Sequence, residues 1–372
     1  MPFQAQPASG QSKPQRMKQH DVLRYPLFIP LILFLLFPAL PQAQTGGNST
    51  FAFLNLVNSA RVGAMGGHFL AIDDNDPSLA VYNPSLISPQ IHNHLALSFV
   101  DYYSDINYGF ASYSRTVERY GSFMAAIQFL DHGKFTAADE TGQTFGEFAA
   151  GEYAVQLGWG RALDSSFSIG SNLKLLYSEL ENYVASGLAV DVTGTYHNRK
   201  SGLTASFLAR NIGRQLNTYV PSEPEPLPFE LALGVSKRLR HVPLRYSILV
   251  THLERWDLTY DDPADPETDP LTGEPIEENG FEVFADKLMR HFVLGAELTP
   301  SRNFSLRLGY NYQRRQDMKV ESKLSTVGFS WGFGFRVSRF HFNYARSAWH
   351  LAGSPNYITL TTNLSDFIAP ER

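Results

Sequence analysis

Eleven histidines, many serines and many aspartates make a Ser–His–Asp arrangement arithmetically available. Hydrolysis by that route needs the serine on a strained strand-to-helix turn; the Gly-x-Ser-x-Gly at 328–332 falls inside an alternating, strand-like stretch and makes no such elbow. His341 and His350 lie in strand-like stretches and read as structural residues. Cysteine is absent, which removes disulfides, thiolate metal sites and cysteine nucleophiles together. Asp74-Asn75-Asp76 offers oxygen ligands to a hard cation. A calcium loop also needs a glycine at its sharp turn and a closing glutamate, and both are missing. The segment 63–67 is rich in glycine, but no strand precedes it and no acid follows at the distance a dinucleotide site requires. It reads instead as a place where backbones approach closely. No catalytic residue, metal ligand or cofactor is expected.

Two stretches suit binding better than catalysis. Segment 257–289 carries Asp257, Asp261, Asp262, Asp265, Glu267, Asp269, Glu274, Glu277, Glu278, Glu282 and Asp286, with Lys287 its only base before Met289. It reads as a solvated loop or as a docking surface for a protein partner. Segment 213–228 holds Pro221, Pro224 and Pro226 and would form a stiffer docking element. The net charge of -5, with no basic cluster, excludes nucleic acid as a partner.

The elements that position these residues show in the hydropathy. Val327, Phe329, Trp331, Phe333, Phe335 and Val337 alternate with Gly328, Ser330, Gly332, Gly334 and Arg336. Phe304, Leu306, Leu308 and Tyr310 alternate with Ser305, Arg307, Gly309 and Asn311. The same period of two recurs around Asp191 and around Glu230, always with the charge on the polar face. Period two marks strands, and a charge facing lipid at mid-bilayer would cost about 2–4 kcal/mol for Arg or Lys. The apolar faces therefore point to lipid and the polar faces to a wet or plugged lumen. Abundant aromatics, 27 Phe and 18 Tyr, suit the girdles of such a wall.

Fourteen segments fit: 92–103, 106–115, 121–130, 152–163, 166–181, 184–198, 202–213, 229–239, 244–256, 290–300, 304–314, 325–337, 339–350 and 355–364. Connections at 116–120, 164–165, 198–202, 240–243, 301–303 and 338 are short. Those at 131–151, 213–228, 257–289 and 315–324 are long. Sorting of loop length by parity is expected of an outer-membrane barrel, with long loops outside and both chain ends in the periplasm.

The start of the chain has a different character. Lys13, Arg16, Lys18 and Arg24 precede an apolar run at 27–40, and Pro41-Gln42-Ala43-Gln44 follows. The run is shorter than the roughly 20 residues that a spanning helix needs. Residues 1–44 read as a secretory signal peptide, with Met17 an alternative start. Residues 45–91 lack alternation and read as a hatch that plugs the lumen, with 51–65 a short amphipathic helix stopped by Gly66-Gly67. The barrel spans 92–364, and 365–372 form a periplasmic tail.

Ser59-Ala60-Arg61-Val62-Gly63-Ala64-Met65-Gly66-Gly67, followed by Asn83-Pro84-Ser85-Leu86, resembles the N-terminal signature of FadL-type outer-membrane proteins. Phe53-Leu54-Asn55-Leu56, Asp105-Ile106-Asn107-Tyr108-Gly109, Asn211-Ile212-Gly213, Leu227-Pro228-Phe229 and His241-Val242-Pro243-Leu244-Arg245 are similar to the type IX secretion branch of that superfamily. The resemblance runs across most of the mature chain. It implies an all-β, 14-stranded antiparallel transmembrane barrel with an N-terminal hatch. It also implies a non-enzymatic anchor for a PorZ-like surface protein, beside the PorU and PorV components that attach cargo to lipopolysaccharide. The acidic loop would then dock protein, with divalent cations near lipopolysaccharide assisting. The competing expectation is a FadL-type transporter of hydrophobic small molecules, which needs a greasy lumen pocket. A soluble secreted β-protein is a third.

Overall fold

The computed structural model describes residues 49–68, 71–139, 141–220, 223–259, 279–319, 325–350 and 353–368. The signal-peptide segment and most of the acidic loop lie outside the described residues.

Fourteen strands run antiparallel and close on themselves. They are β1 (His94–Asp101), β2 (Asn107–Val117), β3 (Gly121–Ala138), β4 (Thr144–Ala162), β5 (Phe167–Leu180), β6 (Tyr183–Asn198), β7 (Leu203–Asn217), β8 (Glu230–Arg238), β9 (Leu244–Val250), β10 (Phe292–Ser301), β11 (Phe304–Asn311), β12 (Phe329–Val337), β13 (Phe340–Ser347) and β14 (Asn356–Asn363). The seam pairs β1 with β14 from His94↔Asn363 to Asp101↔Asn356, so the cylinder leaves no open edge. That excludes a two-sheet sandwich for the described residues.

Burial alternates along the strands as the pattern demands. In β12, Phe329 and Trp331 are exposed on the outer face, while Ser330, Gly332 and Gly334 face the interior. Cross-strand aromatic contacts such as Phe335–Phe342 and Trp331–Tyr344 knit the outer surface. Arg307, Asp191 and Glu230 are 7%, 2% and 1% exposed, so the strand charges do lie inside.

Short turns gather at one end of the cylinder, and the longer connections lie at the other together with the tight β5–β6 turn at 181–182. Among the short ones, β12 and β13 are joined through Ser338, whose φ of 53° places it in the left-handed region. The expected long loop at 131–151 is mostly an extension of the β3–β4 hairpin, bulged beyond Asp131 near Gly133. The stretch expected to carry β11 to residue 314 becomes helical instead. Asn311 Oδ1 accepts the Arg314 N–H and starts a helix over Tyr312–Met318.

The hatch occupies the lumen. It comprises a 3₁₀ turn (Ala52–Asn55), α1 (Ala60–Ala64), α2 (Pro77–Ala80) and 3₁₀ turns at Pro84–Leu86 and Pro89–Ile91. The single helix expected over 51–65 is broken at Asn58–Ser59. The Tyr82 hydroxyl accepts both of their N–H groups there, at 2.5 and 3.1 Å, and Ser59 is extended. Continuing along the chain, α3 is Gly280–Arg290, α4 is Tyr312–Met318 and α5 is Ser365–Ile368. Among the described residues no helix is long and apolar enough to cross a membrane.

The described chain starts at the long-loop end, where Gln215 Nε2 donates to Thr50 Oγ1 at 2.8 Å. It leaves at the short-turn end after Asn363, and the two ends therefore sit at opposite mouths of the cylinder.

Candidate functional site

Irregular backbone inside a barrel has no ladder to satisfy its polar groups, and an unpaired buried N–H or C=O is costly. The polar lumen face supplies the missing partners. Ala60 N–H donates to Thr359 Oγ1 at 2.9 Å, and Ser85 N–H to Thr193 Oγ1 at 2.8 Å. Ser330 Oγ accepts from Gly66 N–H at 3.1 Å and donates to the Ala64 carbonyl at 3.2 Å. Ser347 Oγ donates to the Gly63 carbonyl at 3.1 Å, Ser236 Oγ to that of Ala71 at 2.5 Å, and Gln128 Nε2 to that of Phe53 at 3.1 Å. The serines and threonines on the lumen face thus bond a plug, and in this region the lumen is filled.

Glycine permits the closest approaches. A Cβ on Gly309 would stand 2.1 Å from the Gly66 nitrogen, and one on Gly170 would stand 2.2 Å from the Pro84 carbonyl carbon. Gly66 and Gly67 adopt φ of +103° and +78°, which side chains rarely tolerate. The turn at the end of α1 needs both.

Two ionic clusters join hatch to wall, and a third lies within the wall. In the first, Arg61 of α1 donates to Glu297 of β10 at 2.8 and 3.0 Å, to Asp74 at 2.6 and 2.9 Å and to Asp76 at 3.0 Å. Arg245 bonds Asp74 and Glu297 at 2.7 and 2.8 Å, and Arg307 bonds Glu297 at 2.7 Å. Burial opposes the charge on Asp74, but Arg61 and Arg245 outweigh it and hold its carboxyl well below the usual carboxylate range. Asp76 also accepts the Ser78 N–H at 2.9 Å and caps α2. The Asp-Asn-Asp segment is thus a turn, as expected, and its acids belong to an ion network. Among the described residues no acid or histidine cluster is arranged to hold a metal ion.

In the second cluster, His68 Nε2 lies 2.7 Å from Glu230, which also pairs with Arg210. Burial pushes the His68 imidazole down, so the ring favours its neutral form. In the third, Lys174 pairs with Asp191 at 2.8 Å. Asp191 accepts the Asn211 N–H at 2.9 Å, where Asn211 takes φ of 58° at a break in β6–β7 register. Asn83 and Ser85 join Thr195 and Ser206 in one hydroxyl–amide cluster. Pro84 starts the 3₁₀ turn that presents them.

The lumen is not polar throughout. Phe51, Phe53, Leu54, Val57, Met65 and Ile72 of the hatch pack on Tyr108, Phe110, Met124, Leu176 and Val293 of the wall. Toward the long-loop end this apolar layer meets an aromatic cluster. Tyr102 makes edge contacts with Tyr103, Tyr108 and Trp349 at 4.3, 5.6 and 5.7 Å. Arg314 of α4 lies 4.5 Å from the Trp349 ring centroid, within cation–π range. Its Nη2 donates to the Gly66 carbonyl at 3.2 Å, while its Nη1 is buried without a hydrogen bond. No carboxylate pairs with this guanidinium among the described residues, and burial works against its charge.

Ala60, Arg61, Gly66, Asn83 and Pro84 are therefore gathered at the hatch–wall contacts, whereas Gly67 meets Arg314 of α4 and Ser59 bonds Tyr82 and Ser78 within the hatch. Pro221, Asp261, Asp262, Asp265, Glu267, Asp269, Glu277 and Glu278 lie outside the described residues. Pro224 and Pro226 are exposed between β7 and β8. Asp257 bonds Lys287 at 2.6 Å, so the base in the acidic stretch is already engaged. The partners Arg245 and Glu297 escaped sequence reasoning, although opposite charges on polar faces of consecutive strands are a usable signal. Arg314 carried no signal, because a strand was expected where the chain turns helical.

The closed ladder, the apolar exterior and the luminal hatch define an outer-membrane β-barrel of fourteen strands. No protein-family model and no curated protein matches the chain. Among solved structures, it is similar to the toluene transporter TodX of Pseudomonas putida, at 11% identity and a TM-score of 0.46, over 82% of this chain and 96% of that one. A FadL homologue of Pseudomonas aeruginosa gives 10% identity and 0.46, over 83% and 98%. The monoaromatic hydrocarbon channel CymD gives 12% and 0.46, over 85% and 99%. The strand count and closure rest on the ladder itself.

Proposed function

We propose that the chain is an outer-membrane barrel that admits a hydrophobic small molecule bearing an acid group, with its long loops outside. Arg314 carries this reading. A buried cation among aromatic rings, with one nitrogen unbonded and no protein carboxylate beside it, suits the carboxylate of an apolar ligand. The same guanidinium holds the Gly66 carbonyl, at the turn that ends α1. A carboxylate taking Arg314 would compete with that carbonyl and loosen the hatch where glycine allows the backbone to move. This reading assigns no catalytic step, cofactor or metal.

The test is binding of an aromatic carboxylate, phenylacetate, and of its neutral amide to the purified barrel. The acid should bind at least about tenfold more tightly than the amide, and Arg314→Met should abolish the difference. Equal binding of acid and amide, or an unchanged Arg314→Met variant, defeats the reading.

A second reading is favoured by α3. Phe281, Phe284 and Leu288 fall on one helical face and stand exposed at the long-loop end, as does neighbouring Met289. Such a face suits protein docking. With the resemblance of the sequence to PorQ of the type IX secretion system, it would make the barrel an anchor for PorZ beside PorU and PorV at the lipopolysaccharide surface. Deleting the protein should then release PorZ from cells, and Phe281→Ser with Phe284→Ser should do the same without lowering barrel levels. Unchanged PorZ retention in the deletion strain removes this reading.

A further inference from the structure

The short-turn mouth holds a cavity of about 490 Å³ that neither reading uses. Its floor is the ion network of Arg61, Arg245 and Arg307 with Asp74, Asp76 and Glu297, and there the charges balance. The rim is different. Arg238, Arg302, Arg336 and Arg339 line it, with Asp366 as the only rim carboxylate among the described residues.

Strand parity sends Arg238 and Arg336 inward, while Arg302 and Arg339 reach the rim from turns. In β8 the lumen-facing Ala232, Gly234 and Ser236 lead to Arg238, while Lys237 lies on the outer parity. In β12 Gly332 and Gly334 lead to Arg336, and Val337 lies outward. Arg238, Arg302 and Arg336 form no ion pair with a carboxylate among the described residues. Arg336 is steadied by a hydrogen bond from Nε to His341 Nε2 and by its own N–H donating to the Asn303 carbonyl at 2.9 Å. Ser305, Asn343 and Thr361 add neutral hydrogen-bonding groups to the same wall.

We propose that this mouth is a binding site for a phosphate-bearing ligand, either a free phosphate compound or the headgroup of an anionic phospholipid. Guanidinium groups meet phosphate oxygens through paired hydrogen bonds, and several converging forks favour a multiply charged oxyanion over a single carboxylate. The balanced floor keeps the ligand at the rim, since a second anion pressed against Glu297 would be repelled.

The test titrates the folded full-length barrel in neutral detergent with pyrophosphate. Saturable binding that weakens with added salt is expected, because surface charge pairs are screened. The triple variant Arg238→Gln/Arg302→Gln/Arg336→Gln should lose at least about tenfold in affinity, whereas outward Lys237→Gln should keep it. Arg302→Gln alone, in a turn, should weaken binding if the triple variant fails to fold. In nanodiscs, protection of the rim arginines from phenylglyoxal by phosphatidic acid but not by phosphatidylcholine assigns the site to headgroups. Protection only by added pyrophosphate assigns it to free phosphates. No saturable binding, equal loss in Lys237→Gln, or tighter capture of an oligoglutamate peptide overturns the proposal.

Discussion

Arg61 meets Asp74, Asp76 and Glu297 while almost wholly buried. Glu297 in turn is held by Arg61, Arg245 and Arg307. Removing one member of a buried charge cluster leaves the rest uncompensated, at about 3–5 kcal/mol. Glu297→Ala should therefore lower the urea midpoint of the refolded barrel far more than exposed Glu147→Ala, a comparison intrinsic fluorescence can make. The pH response has a definite sign. The carboxyl of Asp74 is depressed in the folded chain from an ordinary value of 3.8. Its contribution is present above that value and is lost as pH falls toward the folded one. Amide exchange of segment 71–76 should stay slow from neutral pH down to about 4 and then accelerate, once intrinsic exchange rates are corrected for. Acceleration already between pH 7 and 5 would show that another group controls the lock. Arg61 and the Asp-Asn-Asp turn stood out in the sequence. Their union did not, because it joins segments that only the folded hatch brings together.

At the scale of elements, each of the fourteen strands was readable where the period of two persisted. It failed where another local rule took over. Asn311 supplies a cap, and the alternation running into Tyr312 ends in a helix. The hatch was readable as a region, but not its internal shape. Tyr82 and the hydroxyls of the wall satisfy backbone groups that a continuous helix would have satisfied itself. The lumen was expected to be mostly small and polar. It also holds an apolar layer, because the hatch brings its own buried side chains. Hatch and wall touch backbone to backbone at glycine. Gly170→Val should thus strain the Pro84 turn by about 1–3 kcal/mol, as overpacking does. Proteolysis between residues 71 and 93 should rise in that variant while the strands stay resistant. Gly194→Val is the control, since a Cβ there meets nothing within 4 Å.

The fourteen strands close into a cylinder with apolar side chains outside and their charges within. Leu308 is 64% exposed in the middle of β11, on the outer parity. Leu308→Arg should cost about 2–4 kcal/mol in lipid vesicles, read from urea unfolding of the inserted barrel. A variant as stable as the parent would mean that this face does not meet acyl chains. The closed ladder should also make the folded protein migrate differently on gels before and after boiling.

The hatch is synthesised first, yet its socket is made last. Ala60 bonds Thr359, 299 positions later, Gly63 bonds Ser347, 284 positions later, and the ring of Tyr357 rests on Gly63. Contacts of such separation form slowly. The early segment must wait, unsatisfied, until the final hairpin arrives to complete the seat and the seam together. A nascent chain halted before β13 would carry a stopper whose seat lacks Ser347, Tyr357 and Thr359, so closure of the ring and full seating of its plug become a single late event in biogenesis.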